Sequence, residues 1–250
     1  MLEKFKTITN KRYFHLVVII IILVVLIFIS GVIILRYQVE GETNMPFQLS
    51  KISIISSSEG IDKQAIDTKW AFDVCQNNDI FLYIDKNENY GKTEAIQSIN
   101  ISGIEIESLK KENIKIYKPD EKDEKLIFKN KEENIIENMT YTGEMKSNLK
   151  QLKISNQGGI IALRCSNEKL ANYTSNEEEI KHQELLKKAG VTIEDLQAKM
   201  KFILTIQLAS GIQYQSEIRL ELPIEDVIEK GTTSREITDM KDFIFKRVNN

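Results

Sequence analysis

The feature that most constrains this chain is an uninterrupted apolar run from Leu16 to Leu35. The run contains twenty residues, none of them charged, and Ser30 is its one polar side chain. A helix rises about 1.5 Å per residue, so this length matches the roughly 30 Å hydrocarbon core of a bilayer. Thirteen of the residues are Val or Ile, which disfavour helix in water. In lipid, however, the backbone must satisfy its own hydrogen bonds, so the run predicts a transmembrane helix.

The flanks of the run indicate an uncleaved anchor and its orientation. A signal peptide has an apolar region of about 7–15 residues followed by a small-x-small cleavage site, and the chain continues instead with Arg36 and Tyr37. The positive-inside rule compares the charges on the two sides, and the side with more Lys and Arg stays in the cytoplasm. Four basic residues precede the run, whereas one basic residue and two acidic ones follow it: Lys4, Lys6, Lys11 and Arg12, then Arg36, Glu40 and Glu42.

These boundaries divide the chain into four parts. We expect a cytoplasmic tail over 1–15, a transmembrane helix over 16–35 that contacts the lipid bilayer, a linker over 36–46, and an extracytoplasmic domain over 47–250. Of the 34 basic side chains five lie in residues 1–36, against one of the 37 acidic ones, so the domain carries a net negative charge. Such a surface is a poor match for phosphate backbones, and no nucleic-acid partner is expected.

From Phe47 onward, short runs rich in Ile, Phe, Tyr and Leu alternate with Asn, Gly, Asp and Ser, which is typical of strands and turns. Many strands with few helices predict a mostly β fold, an antiparallel β-sandwich that is immunoglobulin-like in a loose sense. The predicted strands are Phe47–Ser56, Lys69–Cys75, Ile80–Asp85, Ile96–Glu107, Asn113–Lys118, Lys125–Lys129, Leu149–Ser155, Ile160–Cys165 and Phe243–Val248.

The clearest strand pattern is a hairpin over Phe202–Leu222, whose apolar residues alternate on both sides of the turn at Ser210-Gly211. Two other strands change face midway, between Leu49 and Ile52 and between Ile101 and Ile104. A change of parity in an element with a two-residue period predicts a β-bulge at each place.

Residues 175–200 predict a helical insertion among the strands. Ser175 and Glu178 have the spacing of a capping box, and Thr192 can cap a second short helix that continues to Met200. The apolar side chains of this insertion can cover one end of the sandwich: Ile180, Leu185, Leu186 and Ala189. We expect a peripheral element whose loss costs about 2–4 kcal/mol and which offers the first candidate surface for a partner. A helical turn ended by Gly231 is expected within 223–230.

Few residues suggest chemistry. His182 falls in the helical insertion and is expected to be solvated there, and His15 borders the membrane. Asp85–Gly91 begins like a calcium loop, but its glycine comes one place late and the twelfth position is Ile96 rather than Glu. A polar turn explains the same residues, so neither a metal nor a cofactor is expected, and no catalytic residue is assigned.

Trp70 alternates with Phe72 and Val74, which places it in the core. Cys75 and Cys165 fall at ends of predicted strands. A disulfide between them is chemically allowed outside the membrane, and a buried free thiol suits the parity of Cys165 equally well.

The residues Gly41-Glu42-Thr43-Asn44-Met45-Pro46-Phe47, with Lys51-Ile52 and Glu59-Gly60, resemble uncharacterised single-pass membrane proteins of low-GC Gram-positive bacteria. That resemblance implies a single-pass membrane protein and carries no activity.

The sequence thus predicts a non-enzymatic binding or scaffold protein, anchored in the cell membrane and contacting an envelope protein partner. The alternative is an envelope enzyme or a sensor subunit. An enzyme requires a polar cluster that no motif supplies, and a sensor requires an output that fifteen cytoplasmic residues cannot form alone.

Overall fold

A single long helix precedes the β domain. The structure is a computed structural model that describes residues 2–40, 44–120, 128–143 and 155–248, with the side chains of the first helix described over 13–35. Helix α1 spans Leu2–Glu40. Its segment Tyr13–Leu35 is long and apolar enough to cross a membrane, and none of its apolar window is buried within the protein. The helix is longer than the apolar run on both sides, so residues 2–15 and the first five residues of the expected linker are also helical.

Residues 44–250 form the second unit, which is built from two antiparallel five-stranded sheets. Sheet A has the order β4-β6-β2-β1-β9, and sheet B has the order β10-β8-β7-β3-β5. The two sheets of a constant-type immunoglobulin domain have four and three strands instead. The likeness to that fold is therefore limited to the packing of two antiparallel sheets. The strand bounds are β1 Phe47–Asp62, β2 Trp70–Lys86, β3 Ile96–Ser108, β4 Ile114–Tyr117, β5 Met139–Thr142, β6 Gly159–Ser175, β7 Ala198–Leu208, β8 Gln213–Glu221, β9 Thr232–Ile237 and β10 Lys246–Val248.

The main hydrophobic core lies between the two sheets and confirms the sandwich. The alternating apolar residues of the predicted hairpin face inward from β7 and β8, with Phe202, Leu204 and Ile206 fully buried. Opposite them, sheet A contributes apolar residues from β1, β2 and β6 that are also fully buried: Ile52, Ile54, Ile80, Leu82, Ile84, Ile161 and Leu163.

Both predicted β-bulges are present. The pairing of β1 with β2 shifts register between Leu49 and Lys51. The pairing of β3 with β7 shifts between Ser102 and Glu105, where Gly103 has a φ of +60°. Glycine adopts this left-handed conformation without steric cost, which explains its place at the second bulge.

Strand β2 corrects the sequence-based interpretation, which placed a break between Cys75 and Ile80. The strand instead continues without interruption through the polar residues 76–79, and β6 likewise continues past Cys165 to Ser175. These polar segments pair with each other: Gln76 lies opposite Asn167, Asn77 opposite Ser166, and Asp79 opposite Arg164. Because β2 is paired on both sides, its polar residues remain in a strand although their sequence resembles a turn.

The helical insertion is shorter and more deeply packed than expected. Ser175 ends β6 instead of capping a helix, and the helical parts are a 3-10 turn at His182–Glu184, α2 at Leu185–Lys188 and α3 at Ile193–Leu196. Thr192 does form a capping box, with Asp195 at its third position. The expected second helix stops before Met200, because β7 begins at Ala198.

The insertion covers one end of sheet A and builds a second hydrophobic cluster there. The four residues of the expected apolar face all contribute, with Leu185 and Leu186 fully buried and Ile180 and Ala189 partly buried. The other buried members come from β2, β6, the insertion itself and α4 (Val227–Lys230): Phe72, Val74, Leu170, Val191, Leu196 and Val227. The insertion therefore contributes four buried side chains of its own, so its loss must cost more than the sequence suggested.

The remaining elements match the sequence-based prediction in part. The expected turn over 223–230 contains α4, which Gly231 ends at a φ of +72°, and β4 and β10 lie within their predicted ranges. The sequence did not indicate the short strands β5 and β9. Of the predicted strands over Lys125–Lys129 and Leu149–Ser155, residues 125–127 and 149–154 lie outside the described residues. Phe128 and Lys129 are not in a strand, and Ser155 makes an isolated bridge to Gly158.

Candidate functional site

An open groove lies at one end of the domain, where β3 ends, β7 begins and β8 ends. Its volume is about 570 Å³. Strand pairing places Ser108 opposite Ala198 and Lys199 opposite Glu221, so three adjacent strands of sheet B form its floor. The remaining wall comes from the α4 connection and β9: Leu222, Ile224, Glu225 and Arg235.

The groove is at the end of the domain opposite to the entry of the chain. The chain enters at Phe47, which pairs with Lys86 at the last residue of β2. After nine intervening residues β3 begins at Ile96, and its other end is Ser108 at the groove. A strand of thirteen residues spans roughly 40 Å, which separates the groove from the entry point.

Charged side chains of both signs surround the groove. Lys199 forms an ion pair of 3.2 Å with Glu221, and Arg235 pairs with Glu225. Arg235 also donates a hydrogen bond of 3.3 Å from Nη1 to the backbone oxygen of Glu221, which joins the edge of sheet A to sheet B. Backbone hydrogen bonds at Glu225, together with Arg235, hold the pKa of the Glu225 carboxyl below its usual range. The Glu225 carboxyl is therefore ionised at neutral pH.

Apolar side chains complete the lining. Leu109 follows β3 at the rim and is 75% exposed, while Leu222 is buried and Ile224 is half-buried beside it. Protein–protein interfaces typically combine apolar side chains with polar ones at their rim. The groove therefore combines apolar side chains with ion-paired charges.

The groove was not predicted from the sequence, because its residues come from four separate parts of the chain. The one local signal is Leu109, an apolar residue in the polar turn between β3 and β4. Of the expected partner surface, residues 175–200, only Gln197, Ala198 and Lys199 line the groove.

The histidine of the insertion is solvent-exposed, as expected, although it lies in a 3-10 turn and not in an α-helix. The imidazole ring of His182 packs edge-on against Phe72, with 6.0 Å between ring centroids. His15 lies on α1 within the apolar segment. The structure brings neither histidine into a cluster with other candidate ligands among the described residues.

The residues of the calcium-like loop have structural roles. Asp85 belongs to β2, and its carboxylate accepts a hydrogen bond from the Ser50 hydroxyl. The Asn87 side chain donates to the backbone oxygen of Met45 at 3.0 Å and accepts from the backbone of Asn89 at 3.0 Å. These contacts tie the end of β2 to the start of β1, which is the role of a polar turn.

Trp70 is half-buried at the edge of the second cluster, so its expected place in the core is corrected to the cluster's rim. The indole stacks on Phe72 with 6.1 Å between centroids, and its Nε1 donates to the backbone oxygen of Glu177 at 3.0 Å. The ring therefore fastens the start of the insertion to β2.

Both cysteines are buried free thiols. Cys165 lies opposite Asn78, three residues along β2 from Cys75, so about 10 Å of strand separates the two positions. A disulfide requires Cα atoms within about 7 Å, and the strand register therefore excludes the bond. Burial raises the pKa of each thiol to about 12, which keeps both protonated and unreactive at neutral pH.

Comparison of the chain with protein-family models, with curated proteins and with solved structures gave no match.

Proposed function

We propose that this protein is a non-enzymatic binding or scaffold protein of the bacterial cell envelope, anchored in the cell membrane by α1. Its N-terminus lies in the cytoplasm and its β domain is extracytoplasmic. One observation carries the proposal: an apolar helical segment of 23 residues, none of it buried in the protein, is followed by a domain with its own core. Lipid can surround such a segment because the backbone polar groups of a helix are hydrogen-bonded within the helix itself.

The anchor and its orientation are tested by protease treatment of wall-stripped cells that express the chain with a C-terminal tag. External protease should remove the tag from intact cells, and mass spectrometry should find α1 still attached to the untreated protein. A cytoplasmic marker protein must survive as the control. A protected tag would reverse the topology, and a mature chain that begins near Arg36 would replace the anchor by a signal peptide.

The groove supports a binding role through its chemistry and its place. Its ion-paired rim and apolar centre suit a polypeptide partner better than an anionic polymer, because Glu107, Glu221 and Glu225 repel phosphate and carboxylate groups. The groove also lies at the end of the β domain far from Phe47, the first residue of β1. The partner is therefore a protein of the same envelope, held by side chains of sheet B and β9.

Site-specific photocrosslinking in living cells tests this contact. A photoreactive amino acid replaces Leu109 at the groove or, as the matched control, Ile66, which is 89% exposed in the connection between β1 and β2. We expect a discrete adduct from position 109, none from position 66, and loss of the adduct after Lys199→Glu. Equal labelling at both positions, or an adduct that persists in Lys199→Glu, would show that the groove is not the partner site.

A further inference from the structure

A polar layer divides the inner face of sheet A. We define it by four buried residues: Ser56 on β1, Gln76 and Asn78 on β2, and Asn167 on β6. Ser56 lies opposite Asn78, and Gln76 lies opposite Asn167. On one side of this layer lies the main core, and on the other side lies the second cluster, with Val74 as its nearest member on β2.

Three amide oxygens in the layer have no hydrogen-bond partner among the described residues. They are Oε1 of Gln76, Oδ1 of Asn78 and Oδ1 of Asn167, and each side chain is at least 98% buried. Gln76 and Asn167 are cross-strand neighbours, and Asn78 follows Gln76 on the same face, so the three amides lie within about 8 Å of one another.

The orientation of two of these amides is fixed by what their nitrogens contact. Nδ2 of Asn78 donates to the backbone oxygen of Cys165 at 3.4 Å, and Nδ2 of Asn167 donates to the backbone oxygen of Asp195 at 3.3 Å. A carbonyl oxygen can only accept, so turning either amide over would place two acceptors against each other. The Oδ1 atoms of Asn78 and Asn167 therefore both face the layer as hydrogen-bond acceptors.

The third amide leaves one polar atom free in either orientation. Nε2 of Gln76 donates to the Ser56 hydroxyl at 2.8 Å. A hydroxyl can also donate, so the amide can be reversed, but one of its two polar atoms then still lacks a contact. Leaving a buried acceptor unsatisfied costs about 1–3 kcal/mol, and three such groups are a large penalty for a domain of this size.

We propose that the polar layer is a binding site for internal water, with molecules that donate hydrogen bonds to Asn78, Asn167 and Gln76. The lining favours a neutral donor over a cation. The four residues of the layer carry no carboxylate, and three uncharged amide oxygens supply neither the charge nor the number of ligands that a buried cation takes from a protein. Water supplies two donors and two acceptors, and buried water typically makes about three hydrogen bonds to such groups.

The bound water would connect the insertion to the sheet. Asn167 contacts the backbone of α3 on one side and the layer on the other, so water between Asn167 and Asn78 links α3, β6 and β2 in one network. The same sites explain why polar residues persist in the middle of two long strands whose other inward residues are apolar.

The test is a high-resolution crystal structure of the full chain, grown from lipid with rubidium chloride as the salt. We expect ordered density within hydrogen-bond distance of at least two of the three amide oxygens, without an anomalous rubidium signal. A layer without density would overturn the proposal, and a rubidium peak there would replace water by a monovalent cation.

Paired variants separate the layer from its surroundings. Asn78→Ala should change or remove the density beside position 78. Asn77→Ala should leave it intact, because Asn77 faces the other side of the sheet and its Oδ1 already accepts hydrogen bonds from Ser166 and Asn130. Should a variant fail to fold, the structure of the natural chain still decides between the outcomes. Density that is unchanged in Asn78→Ala would show that the amide does not hold it.

Discussion

At Gly231 one backbone conformation holds three elements together. Its N–H donates to the oxygen of Val227 at 2.8 Å and ends α4, while its oxygen accepts from the backbone of Ser58 on β1 at 2.8 Å. Its φ is +72°, and a Cβ at this position would overlap the backbone of Gln183. Both the conformation and the close approach therefore require glycine.

We expect Gly231→Ala to lower the free energy of unfolding by about 3 kcal/mol, of which about 1–2 kcal/mol is backbone strain. Gly190 is the matched control, since its φ is +70° but nothing lies within 4 Å of an added Cβ. Gly190→Ala should show the strain alone, and the difference of about 1–2 kcal/mol measures the overlap. Urea denaturation of both variants gives the values. Equal losses would show that the 182–184 turn moves away freely.

The buried thiols make stability depend on pH in the alkaline range. An unfolded cysteine titrates near a pKa of about 8.5, whereas burial raises the pKa of Cys165 to about 12. Above pH 8.5 the unfolded state loses protons that the folded state retains, so the free energy of unfolding falls as the pH rises. The slope is at most about 1.4 kcal/mol per pH unit for each thiol.

We expect Cys165→Ala to flatten this dependence between pH 8.5 and 10, as measured by urea denaturation at several pH values. Other groups, including Tyr117, whose pKa is raised by burial and by its hydrogen bond to Glu168, contribute equally to both proteins and cancel in the comparison. Parallel pH profiles would contradict the assignment to the thiol.

At the scale of elements, the alternation of apolar side chains predicted the strands better than the polarity of individual residues did. The hairpin of β7 and β8 and the two bulges follow from the parity of apolar residues, because a one-residue slip changes which face is buried. The parity of apolar residues did not predict the strand conformation in the middle of β2. Gln76 and Asn78 lie on the buried face but are polar, and only pairing with β1 and β6, far away in sequence, keeps them in a strand.

The candidate groove was beyond the reach of sequence analysis for the same physical reason. Lys199, Glu221 and Arg235 are brought together by strand pairing and by the crossing from sheet B to sheet A, and local patterns do not contain that information. Short edge strands such as β9 carry a similarly weak local signal, since half of their hydrogen-bonding groups have no neighbouring strand.

Substitutions in the insertion measure directly how far the second cluster stabilises the domain. We expect Leu186→Ala, at a fully buried position in α2, to cost about 2–5 kcal/mol because a cavity remains. Ile193→Ala in α3 is the matched control, as Ile193 is 53% exposed and its truncation should change stability by less than about 0.5 kcal/mol. Thermal and urea denaturation report both, and similar small effects would mean that the insertion is peripheral after all.

The whole molecule consists of two compact units, one that contains the apolar helix α1 and one that contains the β domain. The apolar run from Leu16 to Leu35 and the alternation of apolar and polar residues after Phe47 are the sequence features that distinguish the two units. Residues 44–250 form a compact unit of their own. Its hydrophobic core uses residues of the β domain alone. The β domain therefore has a hydrophobic core that does not depend on α1.

We expect residues 44–250, produced without α1, to be soluble and rich in β-structure by circular dichroism, and to unfold in one cooperative transition. Millimolar Ca²⁺ should leave the melting temperature of this fragment unchanged, because Oδ2 of Asp85 and Oδ1 of Asn87 already accept hydrogen bonds from Ser50 and Asn89 at the end of the strand. An equal concentration of Mg²⁺ controls for ionic strength. A rise in melting temperature that is specific to Ca²⁺ and abolished by Asp85→Ala would show that the turn opens to bind the ion, and that the strand end at Lys86 is less fixed than its hydrogen bonds indicate.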